Sequence, residues 1–407
     1  MGCRVALLIG VLFQLGCAAF LNSDRPEYHG PIQAAAWHNA SVQVEQTPVI
    51  LDRAVYAIAR PMAIADSAHV YAFDLETGKE VWHSAYGATR VIAADASGLI
   101  VTDSENGTHV LDPVTGRDLA VPESGLAMGR AAFSGGRLYA VRPGEVEALS
   151  PPNLASQWSA AIPLDDALAP AVAGGRVYVL GTARGKSMGL YAFDAQTGAA
   201  AWKWELPDRV GSFAVEGLTA DEGGVYVWLR QTGRDSFSKG LLIAFDAASG
   251  NEKWRHSTSG NPAFEALLLA PGEVVIPDYP AGKEANSNSS GYIFRALNRR
   301  SGLKVWEVQT AWKYSMVSFD GNLLLVSDRK VHQLLNENNE TSPDSWVSVV
   351  ELRTGKELWR SPIMELAVLT RPAASANVMV AGSKPYSFND VRGKDSVAGL
   401  WAWRLRQ

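Results

Sequence analysis

The sequence predicts an all-β fold, an eight-bladed β-propeller, on three observations. A motif of the form acidic residue, three residues, Gly, three residues, Trp recurs along the chain. The stretches between copies carry strand and turn signals, and after the first 17 residues no run is long and periodic enough for a core helix. The chain has 407 residues, 47% of them apolar, with 37 Gly and 13 Trp. Such a length exceeds one ordinary domain of roughly 100–200 residues, so it needs either several domains or one closed, repetitive architecture. The repeat selects the second.

At the amino end, Arg4 precedes an apolar run from Val5 to Phe13 that ends in Gln14-Leu15-Gly16-Cys17. One positive charge, a short apolar core and a small residue before the break describe a secretory leader over residues 1–17; a membrane span needs about 18 or more apolar residues. Leu-Gly-Cys resembles a bacterial lipobox, whose Cys carries acyl chains that hold a protein to a membrane. Lipid attachment at Cys17 is therefore expected. Gln14 stands where that motif has an aliphatic residue, and ordinary cleavage after Ala18 or Ala19 is the alternative. Cys3 and Cys17 are the only cysteines, so a mature chain lipidated at Cys17 has no disulfide, no thiolate catalyst and no Cys-ligated metal. Residues 18–32 read as a tether, and residues 33–407 as the propeller.

The copies then follow one another. The clearest are YAFDLETGKEVW from Tyr71 to Trp82, YAFDAQTGAAAW from Tyr191 to Trp202, IAFDAASGNEKW from Ile243 to Trp254, RALNRRSGLKVW from Arg295 to Trp306 and VVELRTGKELW from Val349 to Trp359. Two degenerate copies run from Val110 to Ala120 and from Ala148 to Trp158. The leading positions, Asp74, Asp112, Ser150, Asp194, Asp246, Asn298 and Glu351, are spaced by 38, 38, 44, 52, 52 and 53 residues. A further step of 53 lands on Arg404 in Leu400-Trp401-Ala402-Trp403-Arg404, the first half of an eighth copy. Its outer half lies at the other end, where Ala34-Ala35-Ala36-Trp37 repeats Ala199-Ala200-Ala201-Trp202.

Within a copy, Ala171–Leu180 holds an apolar run, a two-glycine turn and a β-rich run, and residues 190–194 and 199–204 supply two more strands. Asp-x-x-Thr-Gly suits the hairpin between the last two, with the Asp and Thr side chains bonding turn amides and Gly accepting positive φ. Four short strands in about 47 residues is the arithmetic of a propeller blade. An amino-terminal strand paired with carboxy-terminal strands in one blade would hold the ring shut. Trp37, Trp82, Trp158, Trp202, Trp254, Trp306 and Trp359 read as structural docking contacts, one flat side chain per junction. Ala120 takes that place in the second blade, where the contact should be weaker.

The motif Ala-x-Asp-x-x-Thr-Gly-x-x-x-Trp resembles the tryptophan-docking repeat of pyrroloquinoline-quinone-type β-propellers. That family has two branches. Quinoprotein dehydrogenases hold a quinone and calcium over the channel, and resemble one another in two adjacent cysteines and a longer chain; no Cys follows Cys17 here. In its leader, short tether and single propeller the chain is more similar to the non-enzymatic branch, the BamB-type outer-membrane assembly factors. This resemblance implies a scaffold with no catalytic, cofactor-binding or metal residues and no cofactor. It further implies a cell-outer-membrane location on the periplasmic face, and a barrel-assembly protein as partner to a monomer within a larger complex. The family's acidic partner loop is matched in part by Asp165-Asp166-Ala167, so Asp165 is the partner-binding candidate. A quinone- or metal-dependent oxidoreductase and a binder of envelope polysaccharide are the alternatives.

Lys and Arg number 37 against 42 Asp and Glu, a net charge of −5, which argues against a phosphate-neutralising surface and against nucleic acid as partner. Gly185-Lys186-Ser187-Met188-Gly189 has the letters of a hydrolase elbow, but a strand pattern follows where that motif needs a helix. None of the seven His falls in ligand spacing. Later blades lengthen the link between their second and third strands, at Gln231–Lys239, Tyr279–Gly291, Ser327–Ser345 and Ser383–Ala398. Homologous links emerge on one face, so these four should form a polar collar for a partner.

Overall fold

The computed structural model describes residues 30–406 apart from 63–66, 106, 122–129, 184–187, 207–211, 233–239, 259–266, 279–292, 310–315, 322, 334–340, 353, 355, 366 and 386–396. The leader, Cys17 and most of the tether thus lie outside the described residues. The contacts of the chain divide it into residues 1–31 and residues 32–407, and every sheet belongs to the second unit.

Among the described residues the strands form eight antiparallel sheets of four or five strands, with no helix. Chain order within the first seven sheets is spatial order, from the channel outward. Blade 1 takes residues 42–83, blade 2 88–120, blade 3 131–161, blade 4 166–205, blade 5 212–257, blade 6 268–309, blade 7 316–365 and blade 8 367–404. In blade 4, for example, Arg176–Thr182 pairs Met188–Asp194, which pairs Ala200–Glu205. The result is an eight-bladed β-propeller.

Strand character follows from burial on both faces. The middle strands are near-continuous apolar runs, such as Val-Tyr-Ala-Ile-Ala in blade 1 and Val-Tyr-Val-Trp-Leu in blade 5, because each sheet is sandwiched between two others. Eight hydrophobic clusters result, one at each junction between neighbouring blades. The ring has no continuous central core; it has eight cores in series.

The eighth sheet joins the two ends of the chain. Trp37–Asn39 pairs Gly399–Arg404 in the register Trp37↔Ala402, His38↔Trp401 and Asn39↔Leu400. His38 stacks on Trp401 with ring centroids 3.5 Å apart, and the Ala36 amide donates to the Ala402 carbonyl at 2.7 Å. The segment before it reaches one blade further. Ile32 bridges Arg360 in parallel, and the Gln33 amide donates to the Arg360 carbonyl at 2.8 Å. Ala35 packs on the cluster that holds Trp359. The same short stretch therefore completes blade 8 and clips it to the outer edge of blade 7.

Strand alternation fixes which connections share a face. Links from one blade's outer strand to the next blade's inner strand emerge at the same end as the hairpins between second and third strands. The Asp-x-x-Thr-Gly hairpins lie at the opposite end. One of the four expected collar loops is corrected here: Ser327–Ser345 is mostly a long paired hairpin, with Leu323–Gln333 and Thr341–Glu351 in register from Ser327↔Val347 to Gln333↔Thr341. Its residues sustain a ladder with Val331 and Val347 on it, a β-pattern that polar composition had masked. The middles of the other three links lie outside the described residues.

Removing residues 1–40 should lower the unfolding midpoint by several degrees and broaden the transition, since it strips the outer strand of blade 8 and the Trp37 contact together. Thermal unfolding followed by circular dichroism measures this; an unchanged midpoint would show that the seam contributes nothing.

Candidate interaction site

The recurrent tryptophans define the face with the docking hairpins. In blades 1, 4, 5 and 6 the Trp lies opposite a small residue on the third strand: Trp82 opposite Ala72, Trp202 opposite Ala192, Trp254 opposite Ala244 and Trp306 opposite Ala296. The register shifts by one residue immediately beside each of these pairs, a β-bulge that re-aims the ring toward the next blade. There the indole lies flat on the hairpin glycine. A Cβ at Gly116 would meet Trp82 at 2.5 Å, at Gly198 Trp158 at 2.6 Å, at Gly250 Trp202 at 2.6 Å and at Gly302 Trp254 at 2.6 Å; Gly78 meets Trp37 in the same way. Each of these glycines also has φ between 66° and 73°. Glycine is demanded twice, by conformation and by the ring above it.

The indole N–H completes the dock. Trp37 Nε1 donates to Leu75 O at 3.0 Å, Trp82 to Pro113 O at 3.1 Å, Trp158 to Ala195 O at 3.1 Å, Trp202 to Ala247 O at 3.0 Å and Trp254 to Arg299 O at 2.9 Å. Three of those carbonyls accept a second bond from a second-strand tyrosine, through Tyr56 at 2.8 Å, Tyr139 at 3.1 Å and Tyr178 at 3.3 Å. Burial, helped by Asp52 and Asp112, pushes the Tyr56 phenol up to about 12, so it stays a donor across the physiological range. These tyrosines lie outside the repeated motif and are not among the residues expected from it. Their signal in the sequence is the pair Val-Tyr or Leu-Tyr after the turn in blades 1, 3, 4 and 5.

The dock changes at two positions. Trp306 Nε1 donates to Glu273 Oε2 of its own blade at 2.9 Å. Trp359 is buried at 6% exposure beneath the amino-terminal segment, and its Nε1 has no partner among the described residues. At Ala120 only a methyl group meets the junction between blades 2 and 3.

The acidic residue of the motif holds the hairpin. Asp194 Oδ1 accepts from the amides of Gln196 at 3.0 Å and Thr197 at 2.9 Å, and from Thr197 Oγ1 at 2.9 Å. Asp74 and Asp246 do the same with Thr77 and Ser249. The Thr197 hydroxyl, followed by the amides, holds the Asp194 carboxyl below the ordinary carboxylate range; Asp74, Asp112 and Asp246 are depressed by equivalent turn bonds. Asn298 accepts the same three bonds without a charge.

Asp165 lies at the opposite end, in the link from blade 3 to blade 4. It is exposed, and its amide donates to Thr182 O at 3.0 Å. Asp166 follows on the inner strand, its side chain 71% exposed and ion-paired to Arg130. Ala167 is buried in the cluster between blades 3 and 4, so an acid there would face the core. The register Asp166↔Thr182 puts this link beside the second-to-third hairpin of blade 4, on the face where the collar is expected. Structure thus places Asp165 and the docking tryptophans on opposite ends of the blades.

The remaining motifs acquire settings of their own. Met188 opens a strand, while residues 184–187 of the elbow-like sequence lie outside the described residues. His109 is held between carboxylates, Nδ1 to Asp118 at 2.9 Å and Nε2 to Asp103 at 3.1 Å, under the ring of Tyr86. No group of three or more His, Cys, Asp or Glu side chains is set to hold a metal among the described residues.

Comparison with known proteins is consistent across sequence and fold. The family model described as outer membrane protein assembly factor BamB matches residues 66–227, 142–289 and 192–365, together more than half of the chain. The outer membrane protein assembly factor BamB of Nitrosomonas eutropha is 31% identical over 170 residues, covering 40% of this chain and only 38% of that relative. Among solved structures, BamB from Moraxella catarrhalis is 18% identical with a TM-score of 0.57, over 90% of this chain and 99% of that one. A computationally designed protein is 13% identical with a TM-score of 0.62, over 92% and 100%. A europium-containing methanol dehydrogenase is 14% identical with a TM-score of 0.53, over 86% and 84%. At these identities the structural likenesses speak for the fold alone.

Two outcomes are expected of the dock. Gly250→Ala should destabilise by more than about 2 kcal/mol through strain and overlap with Trp202, and it should cost less in the Trp202→Ala background, where the overlap is gone and only the strain of the positive φ remains. Denaturant unfolding of the two single variants and the double variant reads this, and full additivity would contradict it. The turn carboxylates, depressed in the folded state, contribute stability that is present above the unfolded carboxylate value of about 3.9 and is lost as pH falls through their folded values. Melting temperature should therefore fall steeply below about pH 4, with a shallower slope in Asp194→Asn, which copies Asn298.

Proposed function

The chain belongs to the outer membrane protein assembly factor BamB family, and from that premise we propose that it is a non-enzymatic envelope scaffold that docks an outer-membrane barrel-assembly protein. In this reading Cys17 carries the lipid that holds the protein to the periplasmic face of the outer membrane. The face carrying the inter-blade links, Asp165 among them, receives the partner. The single observation that supports it most is the family match from residue 66 to residue 365, which runs through the motif copies of blades 1 to 7.

The mechanism is rigid presentation. Eight junction clusters and the indole docks hold the links at fixed separations, so a partner that contacts several of them loses little further conformational entropy on binding. Asp165 is exposed at the junction of blades 3 and 4, beside Asp166, which already pairs with Arg130. A carboxylate at the rim of a contact contributes more to encounter rate than to affinity.

A quinoprotein oxidoreductase has in its favour the fold it shares with the europium-containing methanol dehydrogenase. Against it stands the missing cysteine pair, since both cysteines precede the propeller. Purified protein mixed with pyrroloquinoline quinone and calcium separates the two readings by its absorbance.

A photo-crosslinker at position 165, activated in native membranes, should capture an outer-membrane barrel-assembly protein. Asp165→Arg should reduce co-purification of that protein several-fold while the unfolding midpoint stays unchanged. Shortening Gly282–Ser290, which lies outside the described residues, should also weaken capture, and Cys17→Ala should move the protein from the membrane to the soluble fraction. No captured barrel-assembly protein, together with bound quinone, would overturn the proposal.

A further inference from the structure

The outer strand of a propeller blade has a sheet neighbour on one side only. Folded proteins keep such edges from pairing with stray chains mainly by charge and by short length. Six of the outer strands follow that rule: Glu80–His83, Asp118–Ala120, Ala200–Glu205, Glu252–Ser257, Lys304–Gln309 and Glu357–Arg360 each carry at least one Asp, Glu, Lys or Arg. The outer strand of blade 8, Trp37–Asn39, is uncharged but has only three residues. Blade 3 departs on both counts. Its outer strand, Ala155–Ala161, reads Ala-Ser-Gln-Trp-Ser-Ala-Ala, has seven residues and carries no charge.

Pairing with the third strand fixes which groups that edge presents. The Ile162 amide donates to the Gly144 carbonyl at 2.9 Å, and the register runs on through Val146↔Ala160 to Ala148↔Trp158. Inward bonding recurs at every second residue of an antiparallel pair, so Ser159 and Ala161 turn their backbone N–H and C=O groups to the rim. Residues 130–183, which include the strand, the hairpin before it and the link after it, are all described, and no described segment pairs with this edge. The side chains alternate as well. Trp158 and Ala160 pack against the cluster between blades 3 and 4, whereas Ser159 and Ala161 are exposed.

We propose that the outer edge of blade 3 binds an extended peptide segment as an added β-strand, an activity separate from docking at Asp165. The chain itself uses its rim in this way: on blade 7, Ile32 bridges Arg360 from outside, and the Gln33 amide donates to the Arg360 carbonyl. Charge sets what the segment is. A strand without charges gives a charged neighbour no partner while removing water from it, so the segment is uncharged where it pairs. Alternation adds a pattern, because every second side chain extends the apolar margin at Trp158 and Ala160 while the others lie beside Ser159 and Ala161 in water. A strand of alternating apolar and polar residues fits, with main-chain bonds giving the affinity and the alternation giving the preference. Size argues against a folded second copy. The strand spans about 23 Å, and contact confined to so narrow an edge falls short of the roughly 1,200–2,000 Å² buried by a stable interface between folded proteins.

Fluorescence anisotropy with a labelled short peptide, in which valine and threonine alternate between terminal lysines, tests the proposal. Wild-type protein should bind it, and the same peptide methylated on every backbone amide should bind about ten-fold more weakly or not at all. Ser159→Pro removes an outward N–H that the fold does not use. That variant and the Ser159→Lys, Ala161→Lys double variant should each weaken binding about ten-fold or more, while Ala201→Lys, on the outer strand of blade 4, should leave it unchanged. Hydrogen exchange should slow at Ser159 and Ala161 when the peptide is added. The proposal falls if folded wild-type protein binds no peptide, if the methylated peptide binds equally well or if the double variant binds undiminished. It also falls if sedimentation shows a wild-type dimer that the double variant dissociates, since the edge would then belong to a second copy. None of these readouts involves Asp165, so loss of strand binding and loss of partner capture are told apart.

Discussion

One contact organises this molecule: an indole laid flat on a glycine of the next sheet, with its N–H on the adjacent carbonyl. Everything repeated in form between the copies serves that contact. Alanine on the third strand sits across from the indole, the bulge turns the ring outward, and the aspartate or asparagine ties the receiving hairpin into shape. The glycine leaves the floor empty. A single blade cannot bury its two apolar faces alone, so each blade depends on its neighbours.

The ring is not uniform, and the departures fall together. Blades 1, 3 and 4 add a tyrosine bond to the indole bond, so their receiving carbonyls use both lone pairs. In blades 6 and 7 the indole bond is redirected within the blade or absent among the described residues. At blade 7 the cover comes from the amino-terminal segment, which packs over the cluster of Trp359. The junction beside the seam has exchanged a polar latch for burial.

The ring and the split eighth blade are legible in the sequence because Trp, Gly and Asp recur at fixed offsets, and Ala34–Trp37 copies Ala199–Trp202. The bulge is not, since it inserts a residue without any characteristic type: Val81, Ala201, Lys253 and Val305 occupy that place in four blades. The long hairpin of blade 7 is hidden for a related reason. Its residues include Asp328, Arg329 and Lys330, which look like loop by composition, while the ladder depends on backbone pairing.

The pairing of Trp37 with Ala402 also has a kinetic side. The first strand of this pair lies 365 residues before its partner in the chain. Until that partner folds, the chain is an open arc with an unmatched sheet edge at its leading end. The entropy of closing so long a loop grows only logarithmically with its length, so the final join is thermodynamically easy once both edges exist. What the wait exposes is a choice of partner: at high local concentration, the trailing strands of one chain can complete the ring of another as readily as their own.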